Sequence, residues 1–201
     1  QLGRSKGGNF EVKLDQYTGA LVTGQFFTAL RKNGRGVLAF QQPGATITFN
    51  GQDINDAADH DYFDLSFAAG TDTDQSMLAG LDTGAQHFIG NFTDSSELPG
   101  LATFSLVTGL TPDIPVNVYQ YDATSEQFSL IAGNVTVDKN GTVTYRNNQL
   151  TQYLITTQTI QGAAVSEMAG RQAVAPKQLT WMIPVAIAVL LIAGAGAGLW
   201  W

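Results

Sequence analysis

The sequence predicts a mostly β protein: an antiparallel β-sandwich with one short helix after its first strand, followed by a single C-terminal transmembrane helix. About ten short apolar or alternating segments are separated by turn residues, at spacings of roughly 8–15 residues. Only one or two helical segments lie between them, which argues against alternating βαβ units. The last 21 residues, Trp181–Trp201, contain no charged side chain.

The chain divides into four predicted parts. Residues 1–9 are a Gly-rich, polar lead-in, and residues 10–157 form the β-sandwich domain. Residues 158–180 are rich in small and polar side chains that bury little surface, so they are predicted to be a flexible stalk. Residues 181–201 are the predicted membrane helix.

The domain begins with alternation typical of a half-buried strand, in which Phe10 and Val12 flank Glu11. The period then changes to that of a helix over residues 23–34. Phe26, Phe27 and Leu30 would share one face of that helix. Thr23 is placed to cap its start and Gly34 to end it.

After the helix the chain is predicted to be almost entirely strands. Gln42-Pro-Gly44 predicts a hairpin turn, and Lys139-Asn-Gly141 predicts another. A short helix is also indicated over residues 73–81. The predicted strands are 37–41, 45–50, 62–68, 86–92, 101–107, 115–121, 127–131, 134–138, 142–146 and 152–157.

As a helix, the apolar segment 181–201 would span about 31 Å, close to the roughly 30 Å of a bilayer's hydrocarbon core. Tryptophans at both of its ends match the aromatic belt of a membrane interface. Gly194 and Gly198 are four residues apart and form a ridge of small residues suited to close helix packing. Self-association and packing within a larger membrane assembly are both open.

Charge distribution excludes one class of partner. The net charge is −7, and residues 36–138 contain no Lys or Arg. Such a surface repels phosphate backbones, so nucleic acid is not expected as a partner. The absence of Cys excludes a disulfide framework and thiolate metal sites.

The placement of the domain relative to the membrane is left with two alternatives. Gln1 is not an initiator methionine, so we expect a removed signal peptide or a longer precursor. This start and the Thr-, Asn- and Gly-rich strands favour an extracellular domain. Arg171 and Lys177, which precede the apolar segment, would favour a cytoplasmic one. Of the two, we expect the extracellular placement.

Three stretches carry a resemblance to a known class of proteins. They are Val116–Tyr121, Phe128–Tyr145, with its Val-Asp-Lys-Asn-Gly-Thr-Val-Thr-Tyr run, and Tyr153–Thr157. The chain resembles β-sandwich surface modules of membrane-anchored proteins of Gram-positive gut bacteria, including cohesin- and dockerin-associated proteins. The likeness extends over residues 10–157. It implies a surface-exposed, non-catalytic module and supplies no functional residues.

The best candidate site is an acidic loop. Carboxylate and amide oxygens are the ligands that Ca²⁺ prefers, although the spacing does not fit an EF-hand, and Asp and Asn favour turns for backbone reasons alone. The possible calcium ligands are Asp53, Asn55, Asp56, Asp59 and Asp61.

No constellation for catalysis is recognisable, so we do not expect an enzyme. His60 and His87 lie in unrelated contexts, and a packed or solvated histidine is expected at each. A glycan platform would need exposed aromatic faces, whereas the strand tyrosines are expected to be used in packing. We therefore expect no cofactor beyond the possible calcium ion.

Two functions remain in view. The first is a membrane-anchored structural or binding module of the cell surface, acting as an adhesion or scaffold domain on a protein or glycan. The second is an accessory subunit of a larger membrane complex, held by its C-terminal helix. Membrane lipid is a partner in both.

Overall fold

The computed structural model describes residues 9–13, 20–55, 62–70 and 75–171. Strands dominate these residues, and they form two large sheets, a two-stranded ribbon and a few short helical segments. The strands are β1 Asn9–Lys13, β2 Leu21–Thr23, β3 Val37–Gln42, β4 Ala45–Ile54, β5 Tyr62–Asp64, β6 Phe67–Ala69, β7 His87–Phe92, β8 Glu97–Val107, β9 Pro115–Asp122, β10 Gln127–Thr136, β11 Thr142–Gln149, β12 Gln152–Thr156 and β13 Ala164–Val165. The helices are α1 Gly24–Asn33, α2 Gln75–Leu78 and the 3₁₀-helix η1 Glu167–Arg171.

The two large sheets face each other. One has the strand order β1-β3-β4-β8-β11, and the other has the order β13-β10-β9-β12-β7-β6. Inward-facing side chains of both sheets belong to one apolar cluster, to which the first sheet contributes Phe104 and the second contributes Val118 and Ile155. The prediction of a mostly β chain is confirmed, and two sheets around a common core fit the predicted sandwich.

Pairing is antiparallel except at two edges. At one edge of the five-stranded sheet β1 runs parallel to β3, and at one edge of the six-stranded sheet β13 runs parallel to β10. Both parallel strands are short and come from the ends of the described chain. They are the exceptions to the antiparallel prediction.

Helix α1 closes part of the core beside the five-stranded sheet. Phe27 is fully buried, and its ring lies 4.8 Å from that of Phe49 and 5.1 Å from that of Phe63. Phe26 is 41% exposed, so the prediction that it shares one helix face with Phe27 and Leu30 is wrong. Adjacent residues on a helix are about 100° apart, and here the core takes only one of the two rings.

The ends of α1 agree with the predicted boundaries. Thr23 precedes the helix with extended backbone, but its side chain makes no capping hydrogen bond. Gly34 has φ 62°, and its N–H donates to the carbonyls of Leu30 and Arg31. A short strand, β2, also precedes the helix and pairs with β5 in the ribbon.

A close approach fixes the far end of β4. The register between β4 and β8 shifts after Phe49, and Asn55 N–H donates to the Pro99 carbonyl at 2.6 Å. A Cβ atom at Gly100 would overlap the carbonyl oxygen of Asp53. Only glycine allows the two backbones to pass this closely.

The predicted strands 127–131 and 134–138 are one strand, β10. It pairs with β9 throughout, with register shifts between Leu130 and Val135. Asn134 lies at this irregularity with φ 55° and donates its N–H to the Asn117 side chain. A β-bulge accommodates the extra residues, which interrupt the sequence pattern without ending the strand.

The six-stranded sheet is also apolar on its outer face. Tyr119, Tyr121 and Leu154 form a second cluster there, which also includes Ile89 of β7 and Met77 of α2. Ile160 and Ala163 pack against this cluster, and Met168 packs against the main core. Residues 158–171, which we name the covering segment, thus lie on the domain. This arrangement differs from the predicted stalk, which was to begin at residue 158. The segment contacts the sheet because burying the apolar outer face removes that surface from water.

The predicted membrane segment 181–201, with Gly194 and Gly198, lies outside the described residues. Within the described ranges, no helix has the length and apolarity needed to cross a bilayer.

Candidate functional site

Several acidic side chains of the domain have a structural task in turns. Asp94, Asp122 and Asp138 each accept a hydrogen bond from the backbone N–H two residues further on, at 2.8–3.1 Å. Asp122 also accepts from the Ser125 hydroxyl. The Thr124 N–H, followed by the Ser125 hydroxyl, lowers the pKa of the Asp122 carboxyl. These carboxylates stabilise turns. Part of the acidic composition of the domain is therefore explained without invoking a bound ligand.

The possible calcium loop is only partly described. Asp53 lies at the end of β4, where its Oδ2 atom is 2.7 Å from Nη2 of Arg146. Asn55 is exposed just beyond the strand. Asp56, Asp59 and Asp61 lie outside the described residues, so the calcium site stays a prediction.

The ion pair between Asp53 and Arg146 makes Asp53 less available as a calcium ligand. Arg146 lies on β11, two strands away from β4 in the sheet, and it holds the Asp53 carboxylate toward the sheet. A carboxylate satisfied by a guanidinium would have to leave it, or share its oxygens, in order to bind a cation. Nothing in the sequence pattern around Asp53 signals this partner, because Arg146 is 93 residues away.

Only one of the two histidines belongs to the described residues. His87 is half-buried on β7, and its Nδ1 atom lies 3.3 Å from the Ala85 carbonyl oxygen, while His60 lies outside the described residues. In the described ranges, no three side chains of His, Cys, Asp or Glu are grouped closely enough to hold a metal ion.

The strand tyrosines pack in the interior. Tyr119, Tyr121, Tyr145 and Tyr153 are each at most 5% exposed. Their predicted use in packing is confirmed, and none of the four offers a face for a sugar ring. The first two belong to the outer cluster and the last two to the main core.

A polar network lies inside the core around Tyr153. The Tyr153 hydroxyl donates to the Gln149 carbonyl and accepts from Nδ2 of Asn147 at 2.7 Å. Gln120 extends the network by donating to the Gln149 side chain at 2.7 Å. Each of the hydrogen-bonding groups named in this network has a partner, as buried polar groups require.

The neighbouring Tyr145 differs from Tyr153 in one respect. Its ring stacks on that of Phe104, with centroids 5.4 Å apart, but its buried hydroxyl forms no well-aligned hydrogen bond, although the Tyr153 hydroxyl lies near it. Burial, reinforced by the nearby Tyr153, raises the pKa of Tyr145 well above its usual value. Burial also raises the pKa of Tyr153. Both phenols therefore stay neutral, which suits a structural role rather than acid–base chemistry.

Three of the exposed large apolar side chains lie near the ribbon. Leu21 and Tyr62 project from β2 and β5 and are 59% and 60% exposed, and Phe26 follows in the first turn of α1. Thr23 pairs directly with Tyr62, so these two side chains share one face of the ribbon with Leu21. The sequence pattern grouped Phe26 with Phe27 and Leu30 on one helix face and did not identify this patch.

Comparison with protein-family models, characterised proteins and solved structures found no match to this chain.

Proposed function

We propose that this protein is a single-pass, membrane-anchored β-sandwich that serves as a structural or binding module at the cell surface. The observation that carries the proposal is the uncharged 21-residue segment 181–201, which follows a domain whose two sheets already share a common core. Both ends of segment 181–201 carry tryptophan, as expected for the aromatic belt of a membrane interface. The resemblance to surface modules of Gram-positive gut bacteria supports the same role.

The character of the domain supports a non-catalytic role. The buried polar groups around Tyr153 form hydrogen bonds within the core, and several of the domain's carboxylates stabilise turns. The expected partners are membrane lipid and a protein or glycan of the cell envelope. Residues 53–61 remain a possible calcium site within this role, one that would stabilise a loop of an extracellular domain.

Membrane attachment is tested by fractionating the native membranes. We expect the chain to stay with the membranes through washes at high salt and high pH and to enter solution only with detergent. Release by salt alone would contradict the anchor.

Exposure on the outer surface is tested by adding trypsin to intact cells. Arg171 and Lys177 precede the apolar segment, so cleavage there would release the sandwich as a soluble fragment. Protection in intact cells, with cleavage only after lysis, would place the domain in the cytoplasm instead.

A second function, an accessory subunit of a membrane complex, is favoured by the ridge of small residues at Gly194 and Gly198. A lone anchor should behave as a monomer or dimer after mild detergent extraction, whereas a subunit should co-purify with fixed partners. Gly194→Ile and Gly198→Ile should abolish that co-purification while membrane insertion is retained. Ala193→Val, on a different face of the same helix, is the matched control.

A further inference from the structure

We propose that the covering segment, residues 158–171, is a releasable strap: tension on the chain from the membrane side detaches it as a unit while both sheets stay folded. The proposal rests on the proposed membrane anchor, because this segment is the last described part of the chain before the predicted span. The strap would lengthen the tether under tension and return to the sheet when tension falls.

The hydrogen-bonded attachment of the covering segment is narrow, although η1 at its end also packs against β10 and β11. Its strand β13 pairs with β10 over two residues only, whereas β9 pairs with β12 over five. Val165 is 74% exposed despite its place in the ladder. Two further backbone donors hold the segment: Ser166 N–H bonds the Leu130 carbonyl at 3.0 Å, and Ile160 N–H bonds the Tyr119 hydroxyl at 2.9 Å.

These contacts follow one another along the chain, which decides how they break. A pull from the C-terminal side reaches Met168 first, then Ser166 and β13, and then Ile160. Contacts that are stretched one at a time yield at lower force than a ladder of bonds stretched together. The segment is therefore expected to peel from its C-terminal end.

Gln158 forms the last attachment. Its side-chain amide donates to the Gly80 carbonyl at 3.0 Å and accepts from Asp82 N–H at 2.7 Å. Its carbonyl accepts from Nδ2 of Asn117. This residue fixes the start of the covering segment to the loop after α2.

Peeling would stop at β12. This strand has hydrogen-bonded neighbours on both sides, β9 and β7, and pairs with each over five residues. Thr156, its last residue, is fully buried. To continue past Gln158 toward the N-terminus, tension would thus have to break the β12–β9 and β12–β7 ladders at the same time.

The reach and the reversibility follow from the same geometry. Fourteen residues, 158–171, extend to about 46–50 Å at 3.3–3.6 Å per residue. Detachment removes Ile160 and Ala163 from the apolar outer cluster and exposes the part of the cluster that they cover to water. That exposure is unfavourable, so the segment rebinds when it is free to do so.

The first test is hydrogen exchange measured by mass spectrometry on the full chain in detergent. The amides of Ile160 and Ser166 should exchange together, about a hundredfold faster than those of β9 and β12, because local opening needs less free energy than global unfolding. Equal rates would show that the segment is an inseparable part of the sheet and would overturn the proposal.

Two variants sharpen this test. Gln158→Ala removes the side-chain bonds at the start of the segment and should raise its exchange rate about fivefold to tenfold. Gln161→Ala, an exposed glutamine three residues further on, is the matched control and should change little. An equal effect of both variants would contradict the role assigned to Gln158.

A crosslink provides the converse test, since the chain contains no cysteine of its own. Ser129→Cys with Ala164→Cys joins directly paired residues of β10 and β13 and should abolish the fast exchange once oxidised. Ser105→Cys with Thr144→Cys joins β8 to β11 away from the covering segment and should leave it unchanged. Persistent fast exchange in the first crosslinked variant would contradict release as a unit.

Magnetic tweezers test the response to tension, with one handle at Lys139→Cys and the other at the C-terminus of the full chain. A low-force step of at most about 50 Å should precede unfolding of the sandwich. Unfolding in a single step would overturn the strap even if the chain is embedded in the membrane. The two proposals can fail separately. If the short first step is seen but high salt releases the chain from membranes, the strap is supported and the anchor is overturned.

Discussion

The backbone N–H of Ile160 donates to the hydroxyl oxygen of Tyr119 at 2.9 Å, across 41 residues of sequence. Tyr119 lies on β9, near the centre of the six-stranded sheet, and its ring is 1% exposed. Its hydroxyl is thus one of the points at which the chain beyond β12 is held over the outer face of that sheet.

Replacing this hydroxyl should loosen the covering segment. In Tyr119→Phe the Ile160 N–H loses its acceptor, and we expect the free energy of unfolding to fall by about 1 kcal/mol. Faster hydrogen exchange at residues 160–166 should accompany the loss. Tyr121→Phe changes a tyrosine of the same cluster and strand and is the control. An effect of Tyr121→Phe as large as that of Tyr119→Phe would contradict this role of the Tyr119 hydroxyl.

The paired core tyrosines should respond in opposite ways to the same substitution. Tyr153→Phe removes the hydroxyl that Asn147 and the Gln149 carbonyl share and leaves them only their own long contact at 3.5 Å, at an expected cost of about 1–3 kcal/mol in unfolding free energy. Tyr145→Phe removes a buried hydroxyl that forms no well-aligned hydrogen bond, so it should be neutral or stabilising. Urea denaturation of the two variants measures the difference. Equal destabilisation would show that the Tyr145 hydroxyl has a bonding role.

Alkaline pH should destabilise the domain through the same pair. Burial raises the pKa of Tyr145 and of Tyr153 above the value of about 10 that a phenol has in the unfolded chain. The folded state then binds more protons than the unfolded state above that pH, so the contribution of the pair is complete below pH 10 and is lost as pH rises.

Urea midpoints measured between pH 8 and pH 11 test this expectation. The midpoint should fall above pH 10, and the fall should be shallower in Tyr145→Phe. Absorbance at 295 nm should show these two phenols ionising only when the domain unfolds. Their ionisation in the folded state would contradict the burial effect.

The ion pair between Asp53 and Arg146 should contribute little. Its side chains are 37% and 19% exposed, so solvent screens the attraction. A double-mutant cycle with Asp53→Asn and Arg146→Gln should give a coupling energy of at most about 1 kcal/mol, which 1 M NaCl reduces. A larger coupling energy that is insensitive to salt would contradict this account.

The crossing at Gly100 should be intolerant of any side chain. Gly100→Ala places a methyl group against the Asp53 carbonyl and should cost more than about 2 kcal/mol in unfolding free energy, because backbone must move. Gly80→Ala is the control, since a Cβ atom there meets no atom within 4 Å. An unchanged urea midpoint in Gly100→Ala would show that β4 and β8 separate easily at this point.

Some elements could be predicted from sequence because their signals are local. The helical spacing of Phe27 and Leu30 and the glycine at position 34 gave α1 to within a residue or two. The Lys139-Asn-Gly141 turn and most of the strands were equally local. The merging of residues 127–136 into one strand was missed, because a bulge at Asn134 looks in sequence like a turn.

The environment of the candidate sites could not be predicted in this way. The pairing of Asp53 with Arg146 depends on the order β4-β8-β11, which no local pattern records. Phe26 and Phe27 are adjacent and chemically identical, and only the position of the core decides which of them is buried.

The sequence by itself determined the strand-rich character, the acidic central stretch and the apolar segment 181–201, because propensity, charge and hydropathy are properties of neighbouring residues. The tertiary structure alone decided that residues 158–171 lie on the domain. Their own side chains are too small and polar to predict burial, and the reason lies elsewhere in the chain: the apolar outer face around Tyr119 and Leu154 is stable in water only when something covers it.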